Sequence, residues 1–169
     1  MTTPSPALKV SFQPIVHLDT RVLVLGSMPG ERSLASGQYY ANPRNQFWRL
    51  VGCVIGSDLM VMGHEQRLAA LQAAGIGLWD VFESAERDVS LDSAIRKGRV
   101  NDLADRARGL PSLTLIAFNG GKAAKHGRKV LGPNVYWKTV TLPSSSSARA
   151  ISFESKLSDW MIIREHLGR

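Results

Sequence analysis

Residues 22–48 read VLVLGSMPGERSLASGQYYANPRNQFW, and the opening of this stretch constrains the fold more than any other part of the chain. Val22 to Leu25 is a run of four apolar residues, two of them β-branched. A run without alternation reads as a strand buried on both faces, which occurs where helices cover both sides of a sheet. Gly26, Pro29 and Gly30 then break the strand in a tight turn. The missing Cβ atoms let backbone approach a ligand. A polar and aromatic stretch follows with Gln38, Tyr39, Tyr40, Asn42 and Asn45, and an amphipathic run begins at Phe47 and Trp48. The stretch thus places amides, aromatics and an arginine at a strand's carboxyl end, where ligands sit in open α/β sheets.

The rest of the chain repeats the pattern. Helical spacing covers Gln46 to Ile55, with Phe47, Leu50, Val51 and Val54 inward, and then Gly63 to Ala74. Ile76 to Phe82 is a second strand with an acid, Asp80, inside it, and a buried acid is costly unless paired or hydrogen-bonded. Glu83 to Val89 reads as a loop, Leu91 to Ile95 as a turn of helix, and Arg96, Lys97 and Arg99 as a basic cluster. A helix from Asn101 to Arg108 precedes a third strand, Leu113 to Phe118. That strand ends in Asn119-Gly120-Gly121-Lys122 and leads into a helix from Ala123 to Leu131. Strand, glycine pair and helix start form a ready anion site, although the spacing of a Walker loop is absent. Val135 to Leu142 is the fourth strand, Pro143 to Arg149 (PSSSSAR) a second prominent loop, and Phe153 to Leu167 the last helix. This alternation predicts an α/β fold, a parallel sheet with helices on both faces.

The chain has 169 residues, which suits a single domain from 10 to 169 after a loose tail at 1–9. No apolar stretch is long enough to span a bilayer and no secretory signal is evident, so the expectation is a cytoplasmic protein. The single cysteine, Cys53, excludes an internal disulfide and any multi-cysteine metal site, and its apolar neighbours suggest a buried small residue. Formal net charge is +7, from 21 Lys plus Arg against 14 Asp plus Glu, a balance that attracts polyanions.

The order G-S-M-P-G, then S-L, then Q-Y-Y-A-N-P-R-N-Q-F-W resembles the first signature of the uracil-DNA glycosylase superfamily. The likeness is greatest to its hypoxanthine-DNA glycosylase branch, and the chain is also similar to the mismatch-specific uracil and thymine glycosylases. The PSSSSAR loop resembles the superfamily's second motif. The resemblance runs from about Val22 to the end. It implies a three-layer α/β/α fold with a central four-stranded parallel sheet. It also implies a metal-free, cofactor-free, monomeric enzyme that flips a deaminated base (uracil, hypoxanthine or xanthine) out of single- or double-stranded DNA and hydrolyses its N-glycosidic bond. Two rivals stand beside it: a lesion-binding module of this fold without turnover, and a nucleotide-processing α/β enzyme using G-S-M-P-G for phosphate.

What the resemblance implies for residues is specific but incomplete. In much of the superfamily the third residue of the first motif is Asp or Asn and positions a water; here it is Met28, which cannot. The hypoxanthine branch shares that loop, and its catalytic Asn matches Asn45, either to orient a water or to hold the leaving base; otherwise Asn45 is a helix N-cap. Gln38 and Asn42 are the alternates. Tyr40 matches an aromatic that stacks on the flipped base, or is core. Ser27 and Met28 would offer backbone N–H groups, and Asp80 and Asn119 would read the base edge or serve structure. Pro143, Ser144, Ser145, Ser146 and Ser147 would contact phosphate through hydroxyls and N–H groups, Arg149 would fill the gap left by the extruded base, and Lys122 would bind backbone phosphate. Leu142 stands where classical uracil glycosylases carry a His, and none of His17, His64, His126 or His166 lies in a motif.

Overall fold

The computed structural model describes residues 7–86, 96–133 and 136–168. Residues 1–6 of the expected tail and the helical turn expected near Leu91 to Ile95 lie outside them. The central sheet holds β2 (Val22–Gly26), β3 (Ile76–Asp80), β6 (Leu115–Asn119) and β7 (Lys138–Leu142), in the order β3-β2-β6-β7 and parallel throughout. The chain steps from β2 outward to β3, then returns to the other side of β2 with β6. The crevice at this reversal is where open α/β sheets bind ligands.

Each face of the sheet has its own core, because successive strand residues point to opposite sides. Val22, Val24, Leu78, Leu115 and Ala117 pack on one face against α2 (Phe47–Ile55), α3 (His64–Ala74), α6 (Phe153–Trp160) and α7 (Ile162–His166). Leu23, Leu25, Ile116 and Phe118 pack on the other against α4 (Leu103–Arg108) and α5 (Gly121–Leu131). Val22 to Leu25 are all 0% exposed, as a strand covered on both sides requires. The last helix is two, α6 and α7, meeting at Met161.

Two elements differ from the sequence reading. A second, antiparallel sheet of β1 (Leu8–Val10), β4 (Phe82–Glu86) and β5 (Arg96–Val100), in the order β1-β4-β5, occupies segments read as tail, loop and basic cluster. A short helix, α1 (Glu31–Ser36), follows the Gly-Pro turn. Cys53 is exposed, not buried. Its helix buries Phe47, Leu50, Val51, Val54 and Ile55, and position 53 falls on the opposite side of the 3.6-residue repeat, four residues after exposed Arg49. No helix among the described residues is long and apolar enough to cross a membrane.

The fit of α5 against β6 depends on one missing side chain. A Cβ on Gly127 would overlap the ring of Phe118, which is fully buried. A ring inside a close-packed core has nowhere to go. Gly127→Ala is therefore expected to lower stability by about 1–3 kcal/mol, despite alanine's better helix propensity, as overpacked cores do. Denaturant unfolding checks this; an alanine variant as stable as wild type would show that α5 shifts freely.

Candidate active site

Four loops leave the carboxyl ends of β2, β3, β6 and β7 on the same side of the sheet, and a cavity of about 380 Å³ opens between them. That volume falls among small-molecule pockets, about 300–1,000 Å³. The β2 loop contributes Gly26 to Ser33, then Tyr39, Tyr40, Asn42 and Asn45; β3 contributes Asp80, β6 Asn119, and the β7 loop Ser144, Ser145, Ser146, Ala148 and Arg149. Two residues come together there because of what Gly26 lacks. An added Cβ would stand 2.7 Å from Asp80 Oδ1 and 3.1 Å from the Tyr40 hydroxyl. The loop is tied to the end of β3, since the carbonyls of Gly26 and Ser27 accept the N–H groups of Val81 (2.8 Å) and Phe82 (3.0 Å). Asp80 is 3% exposed. Burial first, then the Asp80 charge and Tyr40, push the Tyr39 hydroxyl far above the usual tyrosine range, so it stays a neutral donor to the Gln13 carbonyl (3.1 Å).

Tyr40 is held in an unusual state. Its φ is +52°, a left-handed backbone that a bulky residue rarely adopts and that clusters at functional sites. Its ring stacks on Phe47, centroids 3.8 Å apart and planes 12° from parallel, and Trp48 Nε1 donates to its carbonyl at 3.2 Å. One ring face is thus taken by the core, while the residue also lines the cavity.

Asn45 is not the N-cap of α2; that position is Gln46, which makes no side-chain cap, and Asn45 sits one residue before it. Its Oδ1 accepts the N–H of Phe47, the first residue of α2, at 3.0 Å. With the carbonyl oxygen committed there, the Nδ2 amide is the polar end offered to a ligand, an orientation set by the hydrogen-bond pattern. Asn42 lines the rim, exposed, with its Oδ1 accepting the Arg44 N–H at 3.0 Å. Gln38 is exposed on the turn after α1 and does not line the cavity.

Asn119 joins the loops. Its Nδ2 donates to Ser145 Oγ (2.8 Å) and to the Tyr40 hydroxyl (3.1 Å), and its Oδ1 accepts the Ser145 N–H (2.8 Å). An amide so engaged acts as a clamp between the two loops, and it does not cap α5, whose N-cap is Gly120. The PSSSSAR loop also differs from the expected row of N–H donors. The N–H groups of Ser145, Ser146, Ala148 and Arg149 are spent inside the protein, on Asn119, Ser144 Oγ, Ser146 Oγ and the Ser146 carbonyl. Because Ser144 and Ser146 accept through oxygen, each keeps a hydroxyl proton with which to donate.

Arg149 is exposed at the cavity edge. Pro143 and Ser147 belong to the loop without lining the cavity, and Lys122 lines a separate space with Phe82, His126 and Lys129. Sequence reasoning missed Lys156 and the full part played by Trp160. From α6, Trp160 Nε1 donates to the Pro143 carbonyl (2.9 Å) and Lys156 Nζ to the Ser146 carbonyl (3.0 Å). The signal was present: Lys156 falls between Phe153, Leu157 and Trp160 on the inward face of the helix.

Comparison with known proteins agrees with this architecture. The model of the uracil DNA glycosylase superfamily matches residues 14–164. A protein of Methanosarcina acetivorans named hypoxanthine DNA glycosylase is 39% identical over 159 residues, 94% of this chain and 99% of that protein. One of the same name from Methanosarcina barkeri is 39% identical over 152 residues, 90% of this chain and 95% of its own. A solution NMR structure from Methanosarcina acetivorans, provisionally assigned as a uracil DNA glycosylase, superposes with a TM-score of 0.85 at 39% identity, covering 96% of this chain and all of that one. The match begins before β2 and ends in α7, so every wall of the cavity falls within it: the chain belongs to the uracil DNA glycosylase superfamily.

Proposed function

We propose that the protein excises hypoxanthine from DNA, and uracil and xanthine less readily, by holding the flipped base against Tyr40 and donating to it from Asn45. The excision of deaminated bases follows from the family and its relatives' activity; the ranking of bases and the residue roles are our reading. Both relatives named above carry the name hypoxanthine DNA glycosylase. The observation that carries the mechanism is the committed oxygen of Asn45. As the bond from the base to C1′ breaks, the base keeps the electron pair and gains negative charge, while water adds at C1′. A preorganised donor at the base stabilises that charge. Asn45 Nδ2 is such a donor, and it supplies what Met28 cannot supply from the water's side.

The buried carboxyl of Asp80 supports the choice of substrate class. Deamination turns the ring nitrogen acceptor of adenine or cytosine into the N–H of hypoxanthine or uracil. A carboxylate accepts that N–H and faces a lone pair in the parent base, a mismatch of acceptors that costs binding. Met28, 7% exposed, adds a soft apolar wall for a flat ring.

The test is single-turnover excision by the wild type on oligonucleotides carrying hypoxanthine, uracil, xanthine or adenine at one position, single-stranded and paired. Release of hypoxanthine fastest and no release of adenine is expected. Tight lesion binding with no base released would favour a binding module instead, and activity confined to free nucleotides would move the reading to small-molecule chemistry.

A further inference from the structure

Lys156 is 1% exposed, and the charged group beside it is a cation, Arg149. Burial first, and then the nearby Arg149 guanidinium, hold it below the usual lysine range. Among the described residues no carboxylate pairs with it; its partner is the Ser146 carbonyl at 3.0 Å. That carbonyl also accepts the Arg149 N–H at 3.1 Å, so the ammonium and the turn that carries Arg149 share one acceptor. Four residues along the same helix, Trp160 fixes the Pro143 carbonyl. A buried ammonium on a neutral partner is costly. A protein that keeps one behind a serine loop, beside a second cation, has built positive potential into that loop.

We propose that Lys156 is a positioning residue of the DNA-binding loop, fixing the Ser146–Arg149 turn and setting behind it a charge that a bound phosphodiester neutralises. The inference rests on the DNA-excision reading above. Lys156 is too buried to touch the phosphate, so it acts through the loop and through its field, which low-dielectric surroundings screen weakly.

The experiment is the salt dependence of binding to a duplex carrying an uncleavable hypoxanthine nucleotide, for wild type, Lys156→Met and Lys156→Arg. The slope of log affinity against log salt counts the charges neutralised. In Lys156→Met it is expected to be shallower by about one, with the affinities converging as salt rises, and Lys156→Arg is expected to restore it. A role confined to packing would move the melting temperature and leave the slope alone. A salt-dependent wild type with a parallel Lys156→Met line overturns this inference alone; a salt-independent wild type overturns the DNA reading as well. If Lys156→Met does not fold, Lys156→Gln takes its place. Failure of both uncharged variants to fold assigns Lys156 to structure only and overturns the proposal.

Discussion

Asn45→Asp is expected to cut base excision by about 100- to 1,000-fold, the range for losing one preorganised donor, while leaving the protein as stable as wild type. Aspartate keeps the oxygen that accepts the Phe47 N–H, since Asp and Asn side chains alike bond the backbone two residues on. What it removes is the Nδ2 amide, putting a negative charge beside a base that is itself turning negative. Asn45→Ala is expected to lose a similar factor in rate and about 1 kcal/mol of stability through the lost hydrogen bond to the Phe47 N–H. The pair of variants separates the two roles that the sequence left open. A water-orienting role needs an acceptor, and aspartate is a stronger one, so an Asn45→Asp enzyme as fast as wild type would place Asn45 on the water's side. Single-turnover rates at saturating enzyme, with denaturant melts alongside, read both quantities.

Asn119→Ala is the second large effect. The side chain makes three hydrogen bonds, to the N–H and Oγ of Ser145 and to the Tyr40 hydroxyl, and Ser145 is 0% exposed. Truncation leaves the Ser145 N–H buried without a partner, a loss of about 1–3 kcal/mol. It also removes the tie from the PSSSSAR loop to Asn119 and one hydrogen bond to the Tyr40 hydroxyl. A misplacement of about 1 Å at a reacting centre costs about 100-fold, and a loss of that order in excision is expected. If stability falls while the excision rate of the folded fraction is unchanged, the clamp serves the fold alone and the loops hold their places without it.

The parallel sheet was legible because its signal is local. Val22 to Leu25 and Leu115 to Phe118 are unbroken apolar runs, and glycines close them. The three-stranded sheet was not, because β4 reads FESAE and β5 RKGRV, polar strands with no apolar run and, in β5, a glycine that packs against Phe82. Their partners, not their composition, make them strands. The six-residue α1 has too few turns to show a period. In the site, most cavity residues were legible too, since they sit on the loops of the two motifs. Their division of labour was not. That Asn45 spends its oxygen on the helix, and that Asn119 clamps a loop 26 residues away, depends on which atoms meet after folding. Gln38 shows the converse: it lies within the motif by sequence, yet the turn after α1 leaves it outside the cavity.

The most direct measurement is a structure of the wild type bound to a duplex carrying 2′-fluoro-2′-deoxyinosine, whose fluorine slows loss of the base. The account predicts the hypoxanthine ring flipped into the cavity, stacked on the face of Tyr40 opposite Phe47, with Asn45 Nδ2 about 3 Å from a base heteroatom. A base held elsewhere, or one that meets Asn45 only through a water on the sugar side, would contradict it.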